Sequence, residues 1–130
     1  QVYSLMPVPA RILVNQQKDA LSMEYPGDVR FNLPAEYLRV YSPSAEVRGH
    51  GKGQEVLQVG KRQVKIASIQ QSGNYAIQIS FDDGHDSGIY TWDYLFELGS
   101  NQTHNWADYL QRLHHANQSR DPDTQVVKLS

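Results

Sequence analysis

Apolar and polar residues alternate with a period of two through much of the first half of the chain, the pattern of half-buried strands. Leu21, Met23 and Tyr25 alternate with polar neighbours, and Arg11-Ile-Leu-Val-Asn15 precedes them across the polar stretch Gln16 to Asp19. A hairpin is predicted. Pro26-Gly27 has the composition of a type II turn, after which Val29, Phe31 and Leu33 resume the alternation as a third strand. Asn32-Leu-Pro34 joins an N-cap candidate to a proline near a helix start, so 35–40 should be a short helix. From Tyr41 to Gly60 the periodicity lapses, and Gly49, Gly51, Gly53 and Gly60 mark a loop. Two more strands are predicted at 64–69 and 75–81, joined by a turn at Ser72-Gly73-Asn74. The second puts Tyr75, Ile77, Ile79 and Phe81 on one face. Thr91 should cap a helix that carries Trp92, Leu95 and Phe96 and ends at Gly99. From about Asn105, Trp106, Tyr109, Leu110 and Leu113 recur at i, i+3, i+4 and i+7, a helical stripe that should dock on the sheet.

These elements compose an α+β domain over residues 9–117: a small, twisted, mainly antiparallel sheet with two or three helices, the C-terminal ones packed on it. Residues 118–130 turn polar and are expected to form a frayed tail. The 130-residue length and a composition of 39% apolar and 20% charged residues suit one globular domain. A formal charge of −2 offers no global attraction to nucleic acid or to an anionic membrane, and neither is expected as a partner. No apolar run approaches the roughly 20 residues that span a bilayer, and no basic-then-apolar leader is visible, so the expected location is cytoplasmic. The absence of cysteine excludes disulfides, thiolate metal sites and cysteine nucleophiles.

Charge is uneven along the chain. Arg39 to Lys65 carries a net +4 and Asp82 to Asp108 a net −6, which fits either mutual pairing in the fold or a basic loop that meets an anionic ligand or partner. Gly49-His-Gly-Lys-Gly53 invites a phosphate-loop reading, but Gly60-Lys61 has Glu55 where the first glycine of a P-loop belongs and Arg62 where the hydroxyl belongs. Of the five histidines, His85 is the suggestive one, because Asp82, Asp83 and Asp86 flank it. Neither His-Glu-x-x-His nor a Gly-x-Ser-x-Gly elbow is present, so no catalytic constellation is identified and no cofactor is expected.

The string Phe81-Asp-Asp-Gly-His-Asp-Ser-Gly-Ile-Tyr-Thr-Trp92, with Gly73-Asn-Tyr-Ala76 and Leu38-Arg39 before it, resembles the gamma-butyrobetaine hydroxylase-like N-terminal domain from about Pro9 to Gly99. The resemblance implies a small twisted sheet with helices. Such domains precede the catalytic domain of carnitine-pathway dioxygenases, occur alone in bacteria, and are attached to some iron–sulfur carrier ATPases. It does not imply hydroxylase activity here, since that chemistry belongs to the other domain, whose length and ligands this chain lacks. Many members of the family bind zinc through a Cys-Pro-Cys-Ala-x-Cys segment and the histidine of Asp-Gly-His. The corresponding residues here are Ser42-Pro-Ser44-Ala45-Glu46-Val47, so only His85 of that ligand set is retained, and this serine version resembles a stand-alone bacterial branch. Neutral hydroxyls and a valine cannot replace thiolates, and a binding free energy of about 10 kcal/mol or more is lost with them.

Two readings of this segment stay open. Ser42 and Ser44 hold the turn by hydrogen bonds, or His85, His50, Arg48, Asp86 and the two hydroxyls converge as a pocket for a small anion or a partner's acidic group. The expected function is a non-catalytic accessory module that binds another protein. The alternative is a small anionic ligand-binding protein or enzyme centred on His85.

Overall fold

The computed structural model describes residues 7–49, 53–123, 127 and 129. Strands β1 (Arg11–Val14), β2 (Ala20–Tyr25) and β3 (Val29–Pro34) form an antiparallel sheet in that order. Leu21, Met23 and Tyr25 are its buried row. Gly27 takes the positive φ expected of the β2–β3 turn, and Asp28 takes one as well, at 65°, a conformation that Asp tolerates. Strands β4 (Ile66–Ser72), β5 (Ala76–Phe81) and β6 (Gly88–Thr91) form a second antiparallel sheet. Among the described residues the predicted α+β architecture is thus realised as two three-stranded sheets and four helices.

Helix α1 (Ala35–Val40) leaves β3 directly, and α2 (Ala45–Arg48) lies inside the stretch expected to be loop. Asn32 does not cap α1. It is still paired in β3, where its side chain accepts the Ser22 hydroxyl at 3.0 Å, while the Ala35 N–H donates to the Asp19 carbonyl at 2.7 Å. Thr91 caps α3 (Trp92–Ser100) as predicted, accepting the Tyr94 N–H at 3.1 Å. Gly99 does not end that helix. A Cβ at this position would overlap the Phe31 ring, so the glycine lets α3 lie close on β3. Tyr75 precedes β5 and is exposed, with its ring against Gly73, so it does not share the buried face of Ile77, Ile79 and Phe81.

One continuous core joins both sheets, α1 and α3 through Leu21, Met23, Leu38, Ile79, Tyr90, Leu95 and their neighbours. Helix α4 (Gln102–His115) reaches this core through Trp106 and packs Tyr109 and Leu113 on Val40, leaving Leu110 exposed. Tyrosine hydroxyls tie the elements together: Tyr37 donates to the Leu98 carbonyl at 2.7 Å, Tyr41 to that of Asn105 at 2.7 Å, and Tyr90 of β6 to that of Leu38 at 2.5 Å. Burial without such acceptors would be costly for each hydroxyl.

Residues 118–121 are not the frayed tail expected from their polarity. The Gly60 and Arg62 N–H groups donate to the Ser119 and Arg120 carbonyls, each at 2.9 Å. Arg120 meets the buried Glu36 carboxylate through two bonds of 2.7 and 2.8 Å and lies 5.0 Å over the Trp106 ring. A buried carboxylate without a partner is strongly unfavourable, which is why a polar segment is held in place. Arg120→Ala should therefore lower stability in urea unfolding by about 2–3 kcal/mol, somewhat less than for a fully buried pair because Arg120 is partly exposed. Adding Glu36→Gln should recover part of the loss. A loss below about 0.5 kcal/mol would show that the segment is not an integral part of the fold.

Candidate functional site

The site is assembled where the β5–β6 turn meets the chain leaving α1. Within that turn the Phe81 N–H donates to the His85 carbonyl at 2.8 Å. Asp83 accepts the His85 N–H at 3.2 Å with one oxygen, and Arg39 and Lys61 at 2.8 and 2.7 Å with the other. Burial alone would raise the Asp83 carboxyl, but the hydrogen bonds from Lys61, Arg39 and the His85 amide outweigh it and hold the carboxyl down at about 2. Asp82 accepts the Lys65 N–H at 3.0 Å. Part of the basic segment is therefore paired with the acidic one.

His85 is buried and bonded through both ring nitrogens. Nε2 lies 2.8 Å from the Ser42 hydroxyl and 3.3 Å from that of Ser44, and the two hydroxyls are 3.3 Å apart. Nδ1 faces Glu46 Oε2 at 3.3 Å, and the other Glu46 oxygen accepts the Ser87 hydroxyl at 3.1 Å. The partners assign the tautomer: Nδ1–H donates to the carboxylate and Nε2 accepts from Ser42. Burial, reinforced by the Arg39 charge, lowers the His85 pKa against the opposing pull of Glu46 and Asp83, so the ring is neutral near pH 7. Gly88 makes the approach feasible, because a Cβ there would stand 2.6 Å from the Ser42 oxygen.

Ser42, His85 and Glu46 follow one another in the order of an acyl-transfer relay, yet Ser42 is only 1% exposed and its hydroxyl is enclosed by Ser44, His85 and Gly88. Ser42 borders the cleft described below, but at 1% exposure it offers little surface to a reacting carbonyl. Among the described residues, every buried side-chain nitrogen and oxygen has a hydrogen-bond partner. The cluster is a closed staple. It does not fit zinc either: the hydroxyls are neutral, Glu46 takes Nδ1, Val47 is apolar and buried, and no group of three His, Cys, Asp or Glu among the described residues could hold a metal ion.

Of the residues singled out from the sequence, Ser42, Ser44 and His85 converge. Asp86 does not; it is exposed, and its carbonyl accepts the Gln78 amide at 2.7 Å. Arg48 is not among the bonding partners of the His85 ring; its guanidinium lies 4.9 Å above the Tyr94 ring. His50 lies outside the described residues. Sequence reasoning placed Asp83 beside His85 and allowed the two charged segments to pair, but missed Glu46, Ser87 and the specific bonds of Asp83 to Arg39 and Lys61; the spacing Ser42-x-Ser44-x-Glu46 was the available signal for Glu46.

Beside the staple, Val40, Val47, Leu57, Tyr109, Arg48 and Arg112 line an open cleft of about 900 Å³. Arg112 lies 5.7 and 6.0 Å over the Tyr41 and Tyr109 rings, donates to the Tyr41 hydroxyl at 3.1 Å and pairs with Asp108 at 3.1 Å.

The sequence profile of the family described as Gamma-butyrobetaine hydroxylase-like, N-terminal, matches residues 12–96. An NMR solution structure of a protein 51% identical superimposes with a TM-score of 0.81, the match covering 95% of this chain and 98% of that one. A second NMR structure, 41% identical, gives 0.78 over 100% and 98%. A crystal structure of a protein with unknown function of the DUF971 family from Acidithiobacillus ferrooxidans is 30% identical, with a TM-score of 0.58 over 70% of this chain and 91% of that one. No curated protein matches the chain.

Because the His85 pKa lies below its ordinary value of 6.5, the unfolded chain takes up this proton first as pH falls. The contribution to stability is intact above that value and is lost as pH drops through the folded-state pKa. Thermal unfolding should show a larger loss of stability between about pH 7 and pH 5 for the native chain than for His85→Gln, and equal losses would contradict the assignment. The variant S42C/S44C/V47C should bind about one zinc ion per chain and lose thermal stability on chelation, while the native chain responds to neither. No zinc uptake by that variant would mean that this segment does not present a tetrahedral set.

Proposed function

The chain belongs to the gamma-butyrobetaine hydroxylase-like N-terminal family, and from that premise we propose that it is a non-catalytic binding module whose partner is another protein. The observation that carries this reading is the contrast between two neighbouring places. The polar cluster that could have supplied chemistry is satisfied by its own hydrogen bonds, with Ser42 only 1% exposed where it borders the cleft, whereas the cleft itself is open and lined by apolar, aromatic and charged side chains. A buried, fully satisfied network rigidifies its surroundings rather than reacting. An open cleft of mixed chemistry with preset side chains is suited to recognition.

By family analogy the partner is an enzyme of carnitine or iron–sulfur metabolism, and the working location is the cytoplasm. No helix among the described residues is long and apolar enough to cross a membrane.

The test uses the full chain, tagged and cross-linked in its native cell. A stoichiometric partner should be recovered with the native chain and with Ser68→Glu, a change on the exposed edge strand β4, and lost with Arg112→Glu. Recovery unaffected by Arg112→Glu, or no partner at all, counts against the proposal. Turnover of a defined compound that disappears in a folded His85→Gln variant would replace it with the enzyme reading.

A further inference from the structure

Resting on the docking reading above, we infer that the cleft recognises an extended acidic segment of the partner, a Glu or Asp carboxylate next to an aliphatic or aromatic residue. The walls supply both halves of that preference. Val40, Val47, Leu57 and Tyr109 offer apolar surface, and Arg48 and Arg112 offer guanidinium groups.

The arginines are arranged to receive an anion. Arg48 is exposed and stacked on Tyr94, and no carboxylate among the described residues lies within ion-pair distance of it. Arg112 is restrained by two tyrosine rings, the Tyr41 hydroxyl and Asp108. Stacking on an aromatic face leaves the edge N–H groups of a guanidinium available, and restraint before binding reduces the entropy lost when a carboxylate arrives. The two acids of the cleft are already engaged, Asp108 on Arg112 and Glu55 on the Gly53 N–H through both oxygens at 3.0 and 3.1 Å.

The shape favours a peptide over a small molecule. Drug-sized ligands need sites that enclose most of their surface, and this cleft is open. Arg112 also lines a second hollow of about 510 Å³ with Gln111, His115 and Ala116 at the end of α4. An extended segment can follow both hollows with Arg112 between them.

A random dodecapeptide phage library panned against the folded full chain tests the inference while the cellular partner is still unidentified. Enriched peptides should carry Asp or Glu beside Leu, Ile, Val, Phe or Tyr. A synthetic copy of the leading peptide should lose about tenfold in affinity when its acid is changed to the amide, and a similar factor against R48Q/R112Q checked for native thermal stability. Affinity should also fall with added salt. A neutral or basic consensus, no enrichment, or equal affinity for the acid and amide peptides would overturn the inference. The amide peptide needs no protein variant, so a folding defect in R48Q/R112Q cannot decide the result. If the peptides fail while the cellular partner is still lost with Arg112→Glu, only the proposed ligand chemistry falls. If peptides bind but no partner depends on Arg112, the docking reading itself falls.

Discussion

The hydrogen bonds of the His85 ring are the constraint around which this end of the molecule is organised. A neutral imidazole can donate once and accept once, and here the donor side meets Glu46 while the acceptor side meets Ser42. Those contacts bind the β5–β6 turn to a segment 43 residues earlier in the chain. The ring is buried, so each bond also removes the penalty that an unpaired polar atom would carry there. Arg39, Asp83 and Lys61 support the arrangement from below, since Asp83 grips the His85 amide while its other oxygen is held by two cations.

Holding Ser42, Ser44 and Glu46 has a consequence beyond the staple. It sets where α2 begins, and with it the positions of Val47 and Arg48 on the wall of the cleft. Tyr94 joins the same wall by donating to the Tyr41 carbonyl at 2.5 Å and lying beneath Arg48. A closed polar network and an open recognition surface are thus two sides of one short segment. Hydroxyl, imidazole and carboxylate hold this segment through several weak directional bonds.

Much of the architecture was legible because strand and helix patterns are local. Leu21, Met23 and Tyr25 declare a strand face on their own, and Thr91 announces the start of α3 through a bond to an amide three residues on. The misreadings share a cause. Gly99 has the look of a helix stop because glycine commonly is one, but its role is to let the Phe31 ring approach from another element. Asn32 has the look of a cap, but strand pairing with Ser22 has first claim on its side chain. Residues 118–121 have the look of a tail because their polarity is visible and the buried Glu36 that Arg120 serves is not.

The sequence by itself determined the periodicities, the hairpins, the α+β character, the exclusion of thiolate chemistry and the pair of serines where a metal site would need cysteines. Backbone geometry repeats every two or 3.6 residues, so these properties are written in neighbours along the chain. Only the tertiary structure decided that Glu46 rather than Asp86 completes the bonding of His85, that Arg48 turns to Tyr94, and that the staple is closed while the cleft is open. Those outcomes depend on distances between segments far apart in sequence, and packing and burial, which act in space, set such distances.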